Sequence, residues 1–248
     1  MTAADLSNDF FARHLAATPV IGIFRGQDPA TTVELCGRAW DFGVELVEIP
    51  VQSESALPSL EAAVEAARAR GRQAGAGTVT TARRLRQVQE IGAAFTVAPG
   101  VHPEVVEASA RARLPHLPGV ATATDIANAT ATGLTWLKAF PAEQLGVDWI
   151  TAHLAPFPDV RFVATGGISA HNAAGFLSAG CAAVAGGGGQ GAPPPPTPRR
   201  ETVWAPGGNR AHTAAGFLSG VCAALGVGSA LADPTALPRL REAVSAVR

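Results

Sequence analysis

Short apolar runs alternate with alanine-rich segments of helical period along most of this chain, and that alternation limits the fold more than any other feature. Strand-like runs occur at Pro19–Phe24, Val44–Ile49, Gln73–Gly77, Phe95–Ala98, Pro115–Leu117, Leu134–Lys138 and Val160–Ala164, with a last one near Cys181 or Cys222. Their starts lie roughly 20 to 30 residues apart, the length of one strand and its crossover helix. Between them, Ala30–Phe42, Ala56–Arg70 and Ala82–Ile91 carry apolar residues at helical spacing. This is the pattern of a parallel sheet whose connections run through helices. Eight such units predict closure into a single α/β domain, a (β/α)₈ TIM barrel, for which 248 residues suffice. A doubly wound open sheet is the alternative.

Composition excludes several classes of partner. Apolar residues make up 47% of the chain, which fits a globular core. A formal charge of −1 offers no electrostatic footprint for nucleic acid. No apolar run approaches the roughly 20 residues of a membrane span. The segment Met1–His14 is polar and acidic, unlike a secretory signal. Cys36, Cys181 and Cys222 are odd in number and lack CxxC spacing, so reduced thiols in the cytoplasm are expected and a structural metal site is not.

The last third contains a repeat. The run Ala164-Thr-Gly-Gly-Ile-Ser-Ala-His-Asn-Ala-Ala-Gly-Phe-Leu-Ser178 returns 41 residues later as Ala205-Pro-Gly-Gly-Asn-Arg-Ala-His-Thr-Ala-Ala-Gly-Phe-Leu-Ser219. Cys181-Ala-Ala and Cys222-Ala-Ala keep the same register. The stretch between the copies is rich in Gly and Pro and reads as a flexible insert at about residues 186–205. The pattern is a partial duplication of the strand 7–helix 7–strand 8 region within one barrel. Two segments therefore compete for the eighth strand. The second continues into Gly226-Val-Gly-Ser229 and then a final helix, whereas Gly188 stands where Ser229 would align, so Cys222–Gly226 is the expected strand 8.

Lys138 is the only lysine among nineteen Lys and Arg residues. Where a cation alone is needed this chain uses arginine, so the lysine is expected to do what a guanidinium cannot: lose a proton and attack a carbonyl. It ends the apolar run Leu134-Thr-Trp-Leu-Lys138, where desolvation favours the free amine. A lysine snorkelling from a strand end is the bland reading. Glu48 ends another apolar strand, at the barrel end that carries active sites, and suits proton transfer; a surface salt bridge is its bland reading. Arg25, at the end of the first strand, has a fork for a carboxylate or phosphate. Gly75-Ala-Gly-Thr78 leaves room for a ligand at the backbone and adds a hydroxyl. Gly166 and Gly167 after strand 7, and Gly228 with Ser229 after strand 8, occupy the usual phosphate position of such barrels. The chain contains no Walker A or recognisable Ser/His/Asp set, no tyrosine, and no metal-ligand spacing around His102 or His116, so neither cofactor nor metal is expected.

Val20-Ile-Gly-Ile-Phe-Arg-Gly26, Val47-Glu-Ile-Pro-Val51, Gly75-Ala-Gly-Thr-Val79, Val97-Ala-Pro-Gly100, Trp136-Leu-Lys-Ala-Phe-Pro-Ala142 and Ala164-Thr-Gly-Gly-Ile-Ser169 together resemble the 2-keto-3-deoxy-6-phosphogluconate / 2-keto-3-deoxy-6-phosphogalactonate aldolase family. The resemblance implies a metal-free homotrimer of barrels and a class I carbon–carbon lyase acting on a phosphorylated 2-oxo acid. It implies that Lys138 is the Schiff base and Glu48 the acid/base. Thr78 falls near the pyruvyl carboxylate, Pro99 and Phe140 along the pyruvyl pocket, and Gly167, Gly228 and Ser229 in the phosphate loops. The phosphogluconate branch carries an arginine a few residues after the glutamate, and this chain has Gln52 there. The Arg-Gly of strand 1 resembles the phosphogalactonate branch, where that arginine binds substrate. A 4-hydroxy-2-oxoglutarate aldolase and a non-catalytic phosphosugar-binding barrel are the rival readings.

Overall fold

The computed structural model describes residues 2–169 and 172–187. A helix, α1 (Ala3–His14), comes first. It is followed by β1 (Val20–Ile23), α2 (Pro29–Asp41), β2 (Leu46–Pro50), α3 (Leu57–Arg70), β3 (Gln73–Gly77), α4 (Ala82–Ile91), β4 (Thr96–Val97) and α5 (Pro103–Ala112). The second half runs β5 (His116–Leu117), β6 (Gly119–Val120), α6 (Ala123–Thr130), β7 (Trp136–Ala139), α7 (Ala142–Leu154), β8 (Arg161–Thr165), α8 (Ala173–Ser178) and β9 (Ala183–Gly186). All observed pairings are parallel, in the order β5-β4-β3-β2-β1-β9-β8-β7-β6.

Nine short strands make eight barrel staves, because β5 and β6 are halves of one run. The first half bonds backward: Thr96 N donates to Pro115 O and Ala98 N to Leu117 O. The second half bonds forward: Lys138 N donates to Pro118 O at 2.8 Å and Phe140 N to Val120 O at 3.1 Å. Pro118 has no N–H to give, so the ladder changes partner there at no cost in lost donors. The expected (β/α)₈ barrel is thus what the chain forms.

Alternation along the strands sorts side chains into two cores. Ile21, Leu46, Phe95, Val97, Leu117, Trp136, Val163, Ala183 and Ala185 fill the barrel. Their neighbours Val20, Val47, Ile49, Leu137, Phe162, Ala164 and Val184 face the helices. The helix α1 closes one end: Phe11 and Leu15 join the inner core, and Phe11 meets Phe95 and Trp136 edge-on or tilted. A capping box between Thr2 and Asp5 starts that helix, and Asn8 docks it by accepting from Thr135 N and donating to Gly133 O, each at 2.9 Å.

One expectation is corrected. The place of strand 8, between β8 and β1, is taken by Ala183–Gly186 of the first repeat copy and not by Cys222–Gly226. Ala182 N donates to Phe162 O and Val184 N to Pro19 O, stitching the strand to both neighbours. The physical reason is connection length: β8 leads through one short helix straight back to the open edge, in the direct crossover of a β/α unit. Gly186, assigned above to the insert, ends this strand. A Cβ on Gly187 would lie 1.8 Å from the carbonyl oxygen of Ile23, so only glycine follows β9 there. The rest of the insert, Cys222–Gly226, Gly228, Ser229 and the final helix lie outside the described residues.

Candidate active site

Glu48 and Lys138 both point into the barrel, in phase with Leu46 and Trp136 of the inner core. They are 1% and 6% exposed, so neither is the solvated surface charge of its bland reading. Burial lowers the Lys138 pKa from the ordinary lysine value; the Glu48 carboxylate opposes that shift and the Arg25 charge adds to it. The three groups therefore share one electrostatic site, in which the lysine is poised toward the free amine. The Phe140 ring stands 4.8 Å from Lys138 Nζ, an apolar face against the amine.

Glycines shape this site by the space they leave. In the pairing of β2 with β3, Glu48 lies opposite Gly75 and Pro50 opposite Gly77. A Cβ on Gly77 would overlap the Glu48 carboxyl, and one on Gly75 would stand 2.5 Å from the Phe95 ring. The two glycines expected to admit a ligand thus admit the chain's own carboxyl and the aromatic floor beneath it. Gly119, which sequence reasoning missed, lies opposite Lys138, and a Cβ there would stand 2.3 Å from the Pro99 backbone. This brings Pro99 against the strand next to the lysine. The missed signal was an isolated glycine just after Pro118 in an apolar run.

Thr78 sits in a bulge. Ala76 N donates to Phe95 O and Val79 N to Val97 O, so three residue steps on one strand span two on its neighbour. Thr78 takes the extra place with φ +60°, a left-handed conformation that a β-branched residue seldom adopts. Such strain costs about 1–3 kcal/mol and concentrates at functional rims.

After β8, Gly166 and Gly167 have φ of +94° and +72°. Gly166 packs against the Phe140 ring, and its carbonyl accepts from Glu143 N at 3.0 Å. Gly167 packs against the Glu143 side chain. Asn172, another residue not anticipated, closes the loop by accepting from Ser169 N and donating to Gly167 O, both at 2.8 Å. Arg25 lies two residues past the end of β1 in an exposed position and donates from Nη1 to Gln52 Oε1 at 3.2 Å. The fold gathers Lys138, Glu48, Phe140 and Gly166 into one cluster, with the Arg25 charge acting on it. It sets Thr78 beside Gly77 at the rim and Pro99 beside the lysine's strand. Among the described residues, no group of three His, Cys, Asp or Glu side chains is placed to hold a metal ion.

Comparison with known proteins places this geometry. The family model for KDPG and KHG aldolases matches residues 12–192. A probable 2-dehydro-3-deoxy-6-phosphogalactonate aldolase from Rhizobium meliloti is 37% identical over 163 residues, 65% of this chain and 76% of the relative. The 2-dehydro-3-deoxy-6-phosphogalactonate aldolase of Escherichia coli is 35% identical over 66% of this chain and 80% of its own length. Among solved structures, a KDPG aldolase from Legionella pneumophila, with pyruvate captured as a covalent carbinolamine, superposes with a TM-score of 0.66 at 28% identity, covering 71% of this chain and 85% of that one. With the fold, the buried lysine and the family match in agreement, the chain belongs to the KDPG/KHG aldolase family.

Proposed function

We propose that the protein is a class I aldolase that cleaves 2-dehydro-3-deoxy-6-phosphogalactonate, or its gluconate epimer, to pyruvate and glyceraldehyde 3-phosphate. The observation that carries this reading is the chain's single lysine, buried inside the barrel within electrostatic reach of a buried glutamate. The neutral Lys138 amine attacks the C2 ketone, and Glu48 moves protons as the carbinolamine loses water. The resulting iminium is the electron sink. Glu48 takes the C4 hydroxyl proton, the C3–C4 bond breaks, and its electron pair passes into the enamine. Glyceraldehyde 3-phosphate leaves, C3 is protonated, and water releases pyruvate and the free amine.

Arg25 and Thr78 hold the carboxylate end, and Pro99 and Phe140 line the pyruvyl pocket. The left-handed glycines Gly166 and Gly167 support a phosphate subsite after β8, with Gly228 and Ser229 completing it. The identity to phosphogalactonate aldolases and the Arg25–Gln52 pair support the galactonate epimer. The family resemblance supports a homotrimer, and unbridged Cys36 and Cys181 support a cytoplasmic location. The test is borohydride reduction with pyruvate, expected to add one pyruvyl group at Lys138. Labelling only at the N-terminal amine overturns the assignment. Cleavage rates on the two epimers then decide the branch, and rapid cleavage of unphosphorylated 4-hydroxy-2-oxoglutarate alone would rule out the phosphorylated substrate.

A further inference from the structure

Arg25 is exposed, yet it is held at both ends. Its carbonyl oxygen accepts from Gln27 Nε2 at 3.3 Å, and the Gln27 carbonyl accepts from Ser59 Oγ at 2.8 Å. Ser59 is buried in α3, so these bonds tie the turn after β1 to the neighbouring helix. At the other end the guanidinium donates to Gln52, two residues past the end of β2. That bond is the only one made by the Gln52 side chain among the described residues. Gln52 also borders a crevice of about 170 Å³ shared with Phe24, Asp28, Ser53 and Ser55.

A free arginine loses rotamer freedom when it grips an anion, and that loss weakens binding. A partner that already holds the guanidinium removes much of it. The partner must present an oxygen. A second cation at position 52 would repel Arg25, and a carboxylate would cancel the charge that the anion needs. A neutral amide oxygen does neither.

We propose that Gln52 is a positioning residue for Arg25, its amide oxygen holding the guanidinium at the barrel mouth ready for the anionic end of the substrate. The role rests on the aldolase reading, and it lies in binding, not in the chemical step.

A double-mutant cycle tests it, with borohydride-trapped pyruvate imine as readout, at a pH on the plateau of the rate profile. Gln52→Met keeps the side-chain length and removes the oxygen. It is expected to raise the half-saturating pyruvate concentration about five- to tenfold, less than a buried charge-assisted bond would give because the pair is exposed. The saturating rate should stay within about twofold. Arg25→Ala is expected to raise half-saturation further, and the double variant to match Arg25→Ala alone, because Gln52 has nothing left to hold. An unchanged half-saturation in Gln52→Met overturns the role, as do effects that multiply in the double variant; in both cases imine still forms and the aldolase reading stands. Failure of the unaltered protein to trap pyruvate overturns the aldolase reading and this role with it.

Discussion

The carboxyl of Glu48 fills the space that Gly77 leaves empty: a Cβ on Gly77 would stand 1.8 Å from Glu48 Oε1 and 2.6 Å from its carboxyl carbon. Adding one methyl group therefore moves the proposed acid/base without touching it chemically. Gly77→Ala is expected to lower kcat for cleavage by about 10²–10⁴, the range for a misplaced acid/base. Glu48→Gln should fall in the same range, and the double variant should lose little more. Steady-state cleavage assays on the three variants check this. Near-normal turnover in Gly77→Ala would show that Glu48 reaches the substrate by another route.

The Lys138 environment predicts a pH profile with defined signs. Its pKa lies below the ordinary lysine value, so pyruvate imine formation should rise with pH and level off before an unperturbed lysine would. Arg25 contributes to the lowering and Glu48 opposes it. Arg25→Ala should move the midpoint up, and Glu48→Gln should move it down. The measurement is the rate of borohydride trapping against pH; movement of the two midpoints in the same direction would contradict the shared electrostatic site.

Lys138→Arg keeps the charge and removes the nucleophile. It should abolish trapping and cleavage, since a guanidinium does not form an imine under these conditions. Circular dichroism and mass spectrometry of the reduced adduct separate loss of chemistry from loss of fold.

His116 is buried, with Nδ1 2.9 Å from Thr96 Oγ1 and Nε2 without a partner among the described residues. Burial is the main reason that its pKa falls from 6.5 to about 3, with the His102 charge a lesser cause. The unfolded chain takes up the proton below pH 6.5 and the folded chain resists it, so stability falls as pH drops from 6.5 toward 3. The slope approaches about 1.4 kcal/mol per pH unit well below pH 6.5, which gives on the order of 1.5 kcal/mol between pH 6.5 and 5. Urea unfolding at the two pH values measures it, and His116→Gln should remove this part of the acid sensitivity.

Gly187 tests which repeat copy closes the barrel. Because the Ile23 carbonyl would lie 1.8 Å from an added Cβ, and backbone yields little, Gly187→Ala should destabilise the protein by about 1–3 kcal/mol in urea unfolding. Unchanged stability would mean that β9 does not lie against β1, and would return strand 8 to the second copy.

The sequence by itself determined the alternation of strands and helices, and with it the barrel. Periodicity reports which side of a segment is apolar, and every expected strand up to Val160–Ala164 coincides with or overlaps an observed one. The lone lysine and Glu48 were legible for the same reason. Each lies in an apolar strand two residues after an inward residue, Trp136 or Leu46, and in phase with it. Tertiary structure alone decided the rest. Whether Gly77 makes room for a ligand or for Glu48 depends on the register of β2 against β3, which neither strand encodes alone. The inner floor of Phe11 and Phe95 joins residues 84 positions apart, beyond the reach of any local pattern. The two repeat copies carry nearly the same local signals, and the one local difference used to choose between them, Ser229 against Gly188, pointed to the copy that does not fill the gap. Chain connectivity separates them, because the first copy leaves β8 and meets the unpaired edge of β1 after a single short helix.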